Sequence, residues 1–399
     1  MSLLLALCLP AAATDLAIRG EALHPVSGPM IPDGVVLIAD GNITAIGPAS
    51  QVAIPDGVPV ITGAVVTPGL VDGLSTAGLT GIHNIEGDQD HRETSAPVQP
   101  RLRALDGFDP WEPLIDWVQQ HGTTTLQVGP SPGAAVAGRT AVVTSEADTA
   151  GAQVLVADGM MVFSLGDAPK QMFAGDGARS RMGTAALIRQ ALTEAQEYAA
   201  RRRLSLGDRA EVDLGLQALA EVVSGKRRAL FHAHRADDLL TALRITEEFG
   251  LDAVLAGGAE AYLVRNQIAA ADVPVLVGPM MLRSWGPSER TNASFRNAAL
   301  LVDAGVTVGV MTGFEGYVPK VRVPLFEAAI AAGHGLGRDR ALHAATLGSA
   351  TILGIDDRAG SLQVGKRADV AVFDGDPFEY TTHVCSVIVG GAIVSETCR

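Results

Sequence analysis

The segment from about residue 65 to about residue 348 alternates short apolar runs with longer amphipathic stretches. The apolar runs include "VVTPGLVDGLS", "TTLQVGPS", "ALFHAHR", "DAVLAG", "PVLVGPMM" and "VTVGVMTGF", and amphipathic stretches such as "TAALIRQALTEAQEYAARRR" lie between them. Repeated strand–helix units with mostly apolar strands predict a parallel sheet that is buried on both faces. At about 280 residues, the segment has the size of a closed (β/α)8 barrel of the TIM type rather than of an open sheet. The third and fourth strands are the least clearly marked, and we expect them between Thr140 and Leu165.

The two ends of the chain have a different residue pattern from the segment between them. Residues 15–64 contain short runs that alternate apolar and polar residues and are broken by Gly, Pro and Asp-Gly turns. The last part of the chain, residues 349–399, has the same character. We therefore expect an α/β protein in which a small β-sandwich domain, built from both termini, flanks a barrel over residues 65–348.

The charge of the chain excludes two classes of partner. Its 399 residues carry a formal net charge of −14, whereas nucleic acids and anionic lipid surfaces both select concentrated Lys and Arg. The basic clusters at residues 201–203 and 226–228 are short, and we expect them at solvated helix ends. The charge thus predicts no nucleic-acid partner and no anionic lipid partner, and we separately expect no integral membrane segment.

The N-terminal stretch "SLLLALCLPAAA" is an apolar run that ends in small residues and precedes the polar Thr14-Asp15. This pattern is typical of a secretory signal peptide over residues 1–13, cleaved after Ala13, although no positive charge precedes the run. The run is too short to span a bilayer. We expect an exported protein, periplasmic or extracellular; a lipid anchor at Cys8 and a buried N-terminal strand are the alternatives.

Removal of residues 1–13 would leave two cysteines, Cys385 and Cys398. If Gly390-Gly391 forms a tight hairpin turn, ideal pairing places Cys385 opposite Glu396 and diagonal to Cys398. Ideal diagonal neighbours are slightly too far apart to be bridged, but the last residues of a chain can bend inward at little cost. In an oxidising compartment we expect a disulfide between them, with two free thiols as the alternative.

Four longer motifs run along most of the chain: "TPGLVDG", "HGTTTLQVGPSPG", "FHAHRADDLLTALRITEEFGLDAVLAGGAEA" and "ATLGSATILGIDDRAGSLQVGKRADVAVFDGDP". They resemble the amidohydrolase superfamily, and most closely its exported, imidazolonepropionase-like branch, from about Asp15 to the end of the chain. The resemblance implies a barrel with a small β-sandwich built from both termini. It also implies hydrolysis of C–N bonds with one or two divalent cations, which lower the pKa of a bound water and polarise the bond.

In this family the metal ligands lie at the C-terminal ends of the strands: two His on strand one, a Lys or acid on strand four, one His each on strands five and six, and an Asp on strand eight. Here the strand-one positions hold Leu74 and Thr76, and the strand-six and strand-eight positions hold Gly257 and Gly313. Leucine and glycine side chains offer no ligand atom, and a neutral hydroxyl is a poor ligand beside imidazole. We expect these four residues and Glu315, two residues past Gly313, to line a ligand pocket.

Three candidate ligands remain. Asp167 in "SLGDAPK" stands where the family shows its acid, and Lys170 after it has the character of a surface lysine. His232 and His234 of "HAH" point to the same face of strand five. A catalytic zinc ion needs at least three protein ligands, so we expect no cofactor, with zinc bound through the two histidines as the alternative. The histidines could instead be hydrogen-bonded to a neighbouring loop, or act without a metal.

The other histidines of interest have simpler explanations. His83 and His91 belong to the acid-rich loop "GIHNIEGDQDHRE" after strand one, and we expect them to be solvated. His121 is expected at a helix end, where a cation favours the dipole. His343 is expected inside a helix, in a packing or capping role.

The sequence leaves three functions open. The first is a pseudoenzyme of this family, without a metal, that binds a small-molecule ligand or pairs with itself or with an active amidohydrolase. The second is an active hydrolase of amide, cyclic amide or dipeptide C–N bonds that uses a reduced or rearranged metal site. The third is a metal-free isomerase or lyase in which His232 and His234 serve as acid and base.

A serine nucleophile is not indicated. Ser131 in "GPSPG" lacks the G-x-S-x-G spacing of a nucleophile elbow.

Overall fold

The computed structural model describes residues 14–83, 85–146, 154–173, 178–205, 210–280, 287–314, 321 and 323–398. The predicted signal peptide, residues 1–13, lies outside this range. The strands are β1 Leu16–Leu23, β2 Ile31–Ala39, β3 Asn42–Pro48, β4 Val60–Pro68, β5 Leu70–Ser75, β6 Thr123–Val128, β7 Val136–Arg139, β8 Ala141–Thr144, β9 Val154–Val156, β10 Met161–Ser164, β11 Ala229–Ala233, β12 Ala253–Gly257, β13 Val275–Val277, β14 Val308–Val310, β15 Val370–Phe373, β16 Val384–Val389 and β17 Ala392–Ser395.

The α-helices are α1 Pro113–Gln120, α2 Asp167–Met172, α3 Arg181–Arg202, α4 Leu214–Val223, α5 Ala236–Phe249, α6 Arg265–Ala270, α7 Pro287–Arg290, α8 Asn297–Asp303, α9 Pro324–Ala331, α10 Arg338–His343 and α11 Ser349–Leu353. Short 3-10 turns cover Glu86–Asp88, Ala104–Asp106 and Ala261–Val264. A π-helical turn covers Ala344–Gly348, and Ala332–Leu336 is a kinked turn in which the backbone of His334 and Gly335 is not helical. Within the described part of the chain, no helix is long and apolar enough to cross a membrane.

One seven-stranded sheet takes strands from both ends of the chain, in the order β17-β16-β15-β4-β1-β2-β3. Strand β4 joins the two halves, because it pairs in parallel with β1 and antiparallel with β15. Asp40-Gly41 and Gly390-Gly391 close the two hairpins, and all four residues have positive φ, the backbone of a type I′ turn. One face buries an apolar cluster that includes Ile18, Val36 and Val372.

The limits of this sheet differ by a few residues from the predicted domain limits. Strand β4 runs to Pro68, past the expected limit at residue 64. Helix α11 follows the expected limit at residue 348, yet it contacts β5 and β14. The α/β part of the protein therefore reaches at least Leu353.

The remaining strands form two sheets, in the orders β14-β13-β12-β11-β10-β7 and β5-β6-β8-β9. Strands β10 to β14 are parallel neighbours, and β5 is parallel to β6. A β-bridge between Ser75 and Gly313 connects β5 to the segment after β14. The α/β class and its parallel strands agree with the sequence prediction.

The third strand position differs from a regular succession of eight parallel strands. Strand β7 pairs antiparallel with β10, β8 pairs antiparallel with β6, and only Thr140 separates β7 from β8. The connection from β6 to β7 is too short for a crossover helix, and parallel neighbours need a crossover of about a dozen residues or more. A bent antiparallel segment therefore stands where a parallel third strand was expected, and β10 occupies the fourth position.

The parallel strands are buried on both faces. Every residue of β11 and of β12 is buried, as expected for strands covered by helices on both sides. Phe163 of β10 and Phe231 of β11 stack with their ring centroids 5.0 Å apart. This packing fixes the C-terminal ends of the neighbouring strands, where the candidate site lies.

Cys385 on β16 is joined to Cys398 by a disulfide bond. The hairpin pairs Val389 with Ala392 as expected, but its register shifts so that Val387 faces Ser395. Extending that register places Cys385 opposite Thr397, next to Cys398, rather than opposite Glu396. In this register Cys398 is one residue from the position opposite Cys385, instead of the two residues of ideal pairing.

Candidate functional site

The strand-end site comprises Leu74, Thr76, His232, His234, Gly257 and Gly313. A continuous series of contacts joins four of these residues, and the ring of His232 lies beside that of His234. The N–H of Gly313 donates to the carbonyl of Leu74 at 2.8 Å, and His234 lies against Gly257. Met311, which is fully buried, joins the two pairs because its sulfur accepts the N–H of Gly257 at 3.2 Å and its methyl group lies beside Gly313.

The two histidines form the polar part of this site. Their ring centroids are 4.8 Å apart and the ring planes are nearly perpendicular. Burial lowers the pKa of His234 to about 4, and burial, together with the neighbouring His234, lowers the pKa of His232 well below its ordinary value. Both imidazoles are therefore neutral at pH 7, and each ring carries one N–H donor and one acceptor nitrogen.

The surroundings of Gly257 leave little room for a side chain. Its φ is +89°, and a Cβ added there would lie 2.8 Å from Cε1 and 3.0 Å from Nδ1 of His234. The ring of His234 thus occupies the space in which a side chain at residue 257 would begin. Neither ring nitrogen of His234 has a hydrogen-bond partner among the described residues, although the side chain is only 3% exposed.

Gly313 is similarly closed by an apolar neighbour. Its φ is +63°, and a Cβ there would lie 3.0 Å from the Met311 methyl carbon. Leu74 is buried on the adjacent strand. Thr76 is buried as well, and its hydroxyl has no hydrogen-bond partner within the described ranges. The centre of the strand-end site is consequently apolar, with His234 and Thr76 as buried polar groups at its border.

Asp72 is the acidic residue of the motif "TPGLVDG". Its role in the site was not predicted from the sequence. It is fully buried on β5 and accepts hydrogen bonds from the N–H of Thr312 at 3.0 Å and of Leu74 at 3.3 Å, and from the Thr312 hydroxyl. Burial raises the pKa of Asp72 to about 7, against the opposing effect of these hydrogen bonds. Asp72 therefore fastens β5 to the segment that carries Gly313.

Asp167 belongs to a cluster of charged side chains at the start of α2. Its carboxylate lies 3.0 Å from the Arg181 guanidinium and 3.3 Å from Lys170 Nζ, and it accepts the Ser288 hydroxyl. Burial alone would raise the pKa of Asp167, but the Ser288 bond and the charges of Arg181 and Lys170 hold it below the ordinary value. Asp167 is thus paired with both Lys170 and Arg181.

Arg181 holds two further acids that the sequence analysis did not single out. Its guanidinium lies 2.9 Å from Asp238 and 3.5 Å from Glu289, and Glu289 accepts the N–H of Asp167 at 2.6 Å. Burial raises the pKa of Glu289 to about 7 and also raises that of Asp238. We call Asp167, Arg181, Asp238 and Glu289 the Arg181 cluster. Its four members come from four different helices. A search for charged residues three or four positions apart in the sequence could therefore not have found it.

The described residues do not assemble the ligand set of a family metal centre. Among them, one group of three His, Cys, Asp or Glu side chains brings a ligand atom from each within 4.8 Å of the others, and it consists of Asp374, Cys385 and Cys398 on the terminal sheet. His232, His234 and Asp167 form no such group. Glu315, the remaining candidate, lies outside the described residues.

His91 corrects an expectation of the sequence analysis. It is fully buried rather than solvated, its Nδ1 lies 2.8 Å from the Ser131 hydroxyl, and its ring stacks on Phe314 with centroids 4.2 Å apart. The loop after β5 therefore packs onto the residue next to Gly313. His83 is exposed, as expected.

His121 and His343 lie where the sequence placed them. His121 follows α1, and its Nδ1 lies 2.7 Å from the Trp117 carbonyl, but burial lowers its pKa, so a neutral ring rather than a dipole-stabilised cation is expected at neutral pH. His343 is the last residue of α10, and burial lowers its pKa too.

The family model and the solved structure that match this chain are both of amidohydrolases. Residues 118–395 match the model of the amidohydrolase family. The crystal structure of an amidohydrolase from Thermotoga maritima superposes with a TM-score of 0.89 at 29% sequence identity, over 96% of this chain and 100% of that one.

Two curated relatives agree with this match. An amidohydrolase of Hapsidospora irregularis, tasK, is 24% identical over 386 residues, which is 86% of this chain and 38% of the relative. An imidazolonepropionase of Brevibacillus brevis is 35% identical over 109 residues, 26% of each chain. The chain therefore spans well under half of the length of one relative and aligns with about a quarter of the other.

Proposed function

Because the chain belongs to the amidohydrolase family, we propose that it retains the family's fold as a ligand-binding protein and has given up metal-dependent hydrolysis. We further propose that its two groups of parallel strands close into one (β/α)8-type barrel, with the terminal sheet beside it. The ligand is a small, neutral, polar molecule bound at the strand-end site.

One observation carries this proposal: the His234 ring fills the place of a side chain at residue 257 while neither of its nitrogens has a hydrogen-bond partner among the described residues. Leaving a buried polar group without a partner costs about 1–3 kcal/mol. A ligand that donates to one imidazole nitrogen and accepts from the other would recover that cost. The neutral state of both histidines and the apolar Leu74 and Met311 around them favour an uncharged molecule.

An active C–N hydrolase is the second candidate, and it is supported by the sequence similarity to imidazolonepropionase. It would have to bind its metal through a set that includes His232 or His234 and differs from the family's usual one. Asp167 is an unsuitable third ligand in the present arrangement, since Arg181, Lys170 and Ser288 already occupy its oxygens.

Metal analysis combined with a binding screen separates these candidates. Purified protein with the Cys385–Cys398 disulfide kept closed, dialysed and then offered zinc or manganese, should retain no stoichiometric metal and should not hydrolyse amides, lactams or dipeptides. The same panel, followed by thermal shift, should contain compounds that stabilise the protein. His234→Ala should abolish that stabilisation, whereas His334→Ala, at an exposed histidine bonded to the Ile330 carbonyl, should preserve it. Stoichiometric zinc with hydrolysis would refute the proposal in favour of the second candidate.

We also propose that the protein is exported and acts alone, as a homo-oligomer, or beside an active amidohydrolase. The apolar leader-like stretch at residues 1–13 supports export. Mass spectrometry of the mature N-terminus should find Thr14 first, and light scattering should give the oligomeric state. A mature chain that begins at residue 1 would refute export by this signal.

A further inference from the structure

The terminal sheet carries a group of potential metal ligands far in sequence from the strand-end histidines. Asp374 directly follows β15, Cys385 lies on β16, and Cys398 follows β17. One ligand atom from each of the three lies within 4.8 Å of the other two. We propose that these residues form a redox-controlled site for a thiophilic divalent cation such as zinc, closed as a disulfide under oxidising conditions and available to the metal after reduction.

The position of Asp374 is fixed by its neighbour His383. The backbone N–H of His383 donates to one carboxylate oxygen at 2.7 Å, and Nδ1 of its ring lies 2.8 Å from the other. Metal-binding carboxylates are commonly held in this way by outer hydrogen bonds, which orient the ligand. Each carboxylate oxygen keeps a lone pair that these bonds do not use.

The three side chains are accessible to reagents. Asp374 and Cys398 are exposed, and Cys385 is half-buried. A dithiol reductant can therefore reach the disulfide: it passes two hydrogen atoms to the cysteine sulfurs, the S–S bond breaks, and the reductant becomes a disulfide. A divalent cation then displaces the two thiol protons and binds two thiolates and one carboxylate oxygen.

The ligand types select the kind of metal. Two thiolates favour zinc or cadmium over magnesium or calcium, which prefer oxygen ligands. Three protein ligands leave the fourth tetrahedral position to water. In the oxidised protein both sulfurs are bound to each other, so Asp374 is left as a single carboxylate and the site is lost.

Cobalt(II) is the direct probe, because thiolate-bound cobalt gives a ligand-to-metal charge-transfer absorption that histidine and carboxylate sites lack. The experiment uses the full chain with Cys8→Ser, so that Cys385 and Cys398 are the remaining cysteines. After reduction with a phosphine and removal of the reagent, about one cobalt ion per chain should give the band, and zinc should remove it by competition. The oxidised protein should give no band.

Variants assign the ligands. Cys385→Ser and Cys398→Ser should each lose most of the band, and Asp374→Asn should weaken cobalt binding at least about tenfold. Asp376→Asn is the matched control, since Asp376 lies two residues away and pairs with Arg338 at 2.8 Å; it should bind cobalt like the parent. A reduced parent without the band, or equal binding by Asp374→Asn and the parent, overturns the proposal.

A measurement on the unsubstituted chain covers the case in which Asp374→Asn does not fold. After reduction of the disulfide and removal of the reductant, zinc should slow the alkylation of Cys385 and Cys398 by at least about tenfold, with the modified residues identified by mass spectrometry. Equal alkylation rates with and without zinc would also overturn the proposal.

Discussion

The ring of His234 occupies the space that a side chain at Gly257 would need, because a Cβ at residue 257 would lie 2.8 Å from Cε1 of that ring. The conformations of Gly257 and His234 therefore depend on each other. Because residue 257 on β12 has no side chain, the imidazole of His234, which follows β11, has room to pack there. Replacing Gly257 by the family's histidine would not rebuild a metal centre unless His234 first moved away.

Gly257→Ala should lower the free energy of unfolding by about 2–5 kcal/mol, measured by urea denaturation. A positive φ costs a non-glycine residue about 1–2 kcal/mol, and displacing the His234 ring adds about 1–3 kcal/mol. Gly305→Ala is the control, because Gly305 has φ +85° but nothing within 4 Å of an added Cβ; it should show the conformational cost alone. In combination with His234→Ala, Gly257→Ala should cost less than it does alone, and any excess over Gly305→Ala reflects the Ala233 carbonyl oxygen, 3.1 Å from the added Cβ. Simple additivity of the two site substitutions would contradict the steric account.

Asp72 should make the stability of the protein depend on pH. Its pKa is about 7 in the folded state and about 3.9 in an unfolded chain. The contribution of the protonated acid is fully present below pH 4 and is lost as the pH rises through 7. Between pH 5 and pH 8, the wild type should lose roughly 2–3 kcal/mol more stability than Asp72→Asn.

Asp33→Asn provides the reference for the Asp72 prediction. Asp33 is exposed, and its bond to Arg19 holds its pKa below the ordinary value, so its titration lies below this pH range. The variant should follow the wild type between pH 5 and pH 8. Equal slopes for wild type and Asp72→Asn would show that Asp72 is ionised throughout.

The sequence predicted the repeated strand–helix units because apolar runs and amphipathic stretches report directly on burial. It could not predict the direction of β7 and β8, since an apolar run has the same composition in either direction. There the length of the connection between β6 and β7 decides the pairing.

The candidate site, like the fold, could be predicted from the sequence only in part. Leu74, Gly257 and Gly313 could be named from their positions in the sequence motifs. The bond between Asp72 and Thr312 could not, because it joins residues 240 positions apart, and neither could the position of Met311. His91 was predicted wrongly since its acidic sequence neighbours suggest solvent, whereas Phe314 and Ser131, both distant in the chain, bury it.

His91→Ala should reduce stability by about 2–4 kcal/mol. The substitution removes the bond to Ser131, worth about 1 kcal/mol, and leaves a cavity beside Phe314, whose cost is of similar size or larger. His83→Ala, in the same loop but at an exposed position, should stay within about 0.5 kcal/mol of the wild type. Similar small effects for both variants would mean that the loop does not pack on Phe314 in solution.

Arg181→Met should destabilise the protein most at neutral and alkaline pH. Without the guanidinium, the three acids of the Arg181 cluster face one another without their central cation, and removing one partner of a buried charge pair costs about 3–5 kcal/mol. The partial exposure of Arg181, 26% of its side chain, reduces the expected loss to about 2–4 kcal/mol at pH 8. Because the loss of the cation raises the pKa of each acid, the variant's folded state binds protons more readily. The loss of stability should therefore become smaller as the pH falls toward 4.

Arg189→Met is the control on the same helix. Arg189 pairs with Glu248 at 2.6 Å, and both side chains are more than a third exposed, so its loss should cost under about 1 kcal/mol. Urea denaturation of both variants from pH 4 to pH 8 measures the difference. A deficit for Arg181→Met that stays constant over this range would show that the three acids do not depend on Arg181 for their charge.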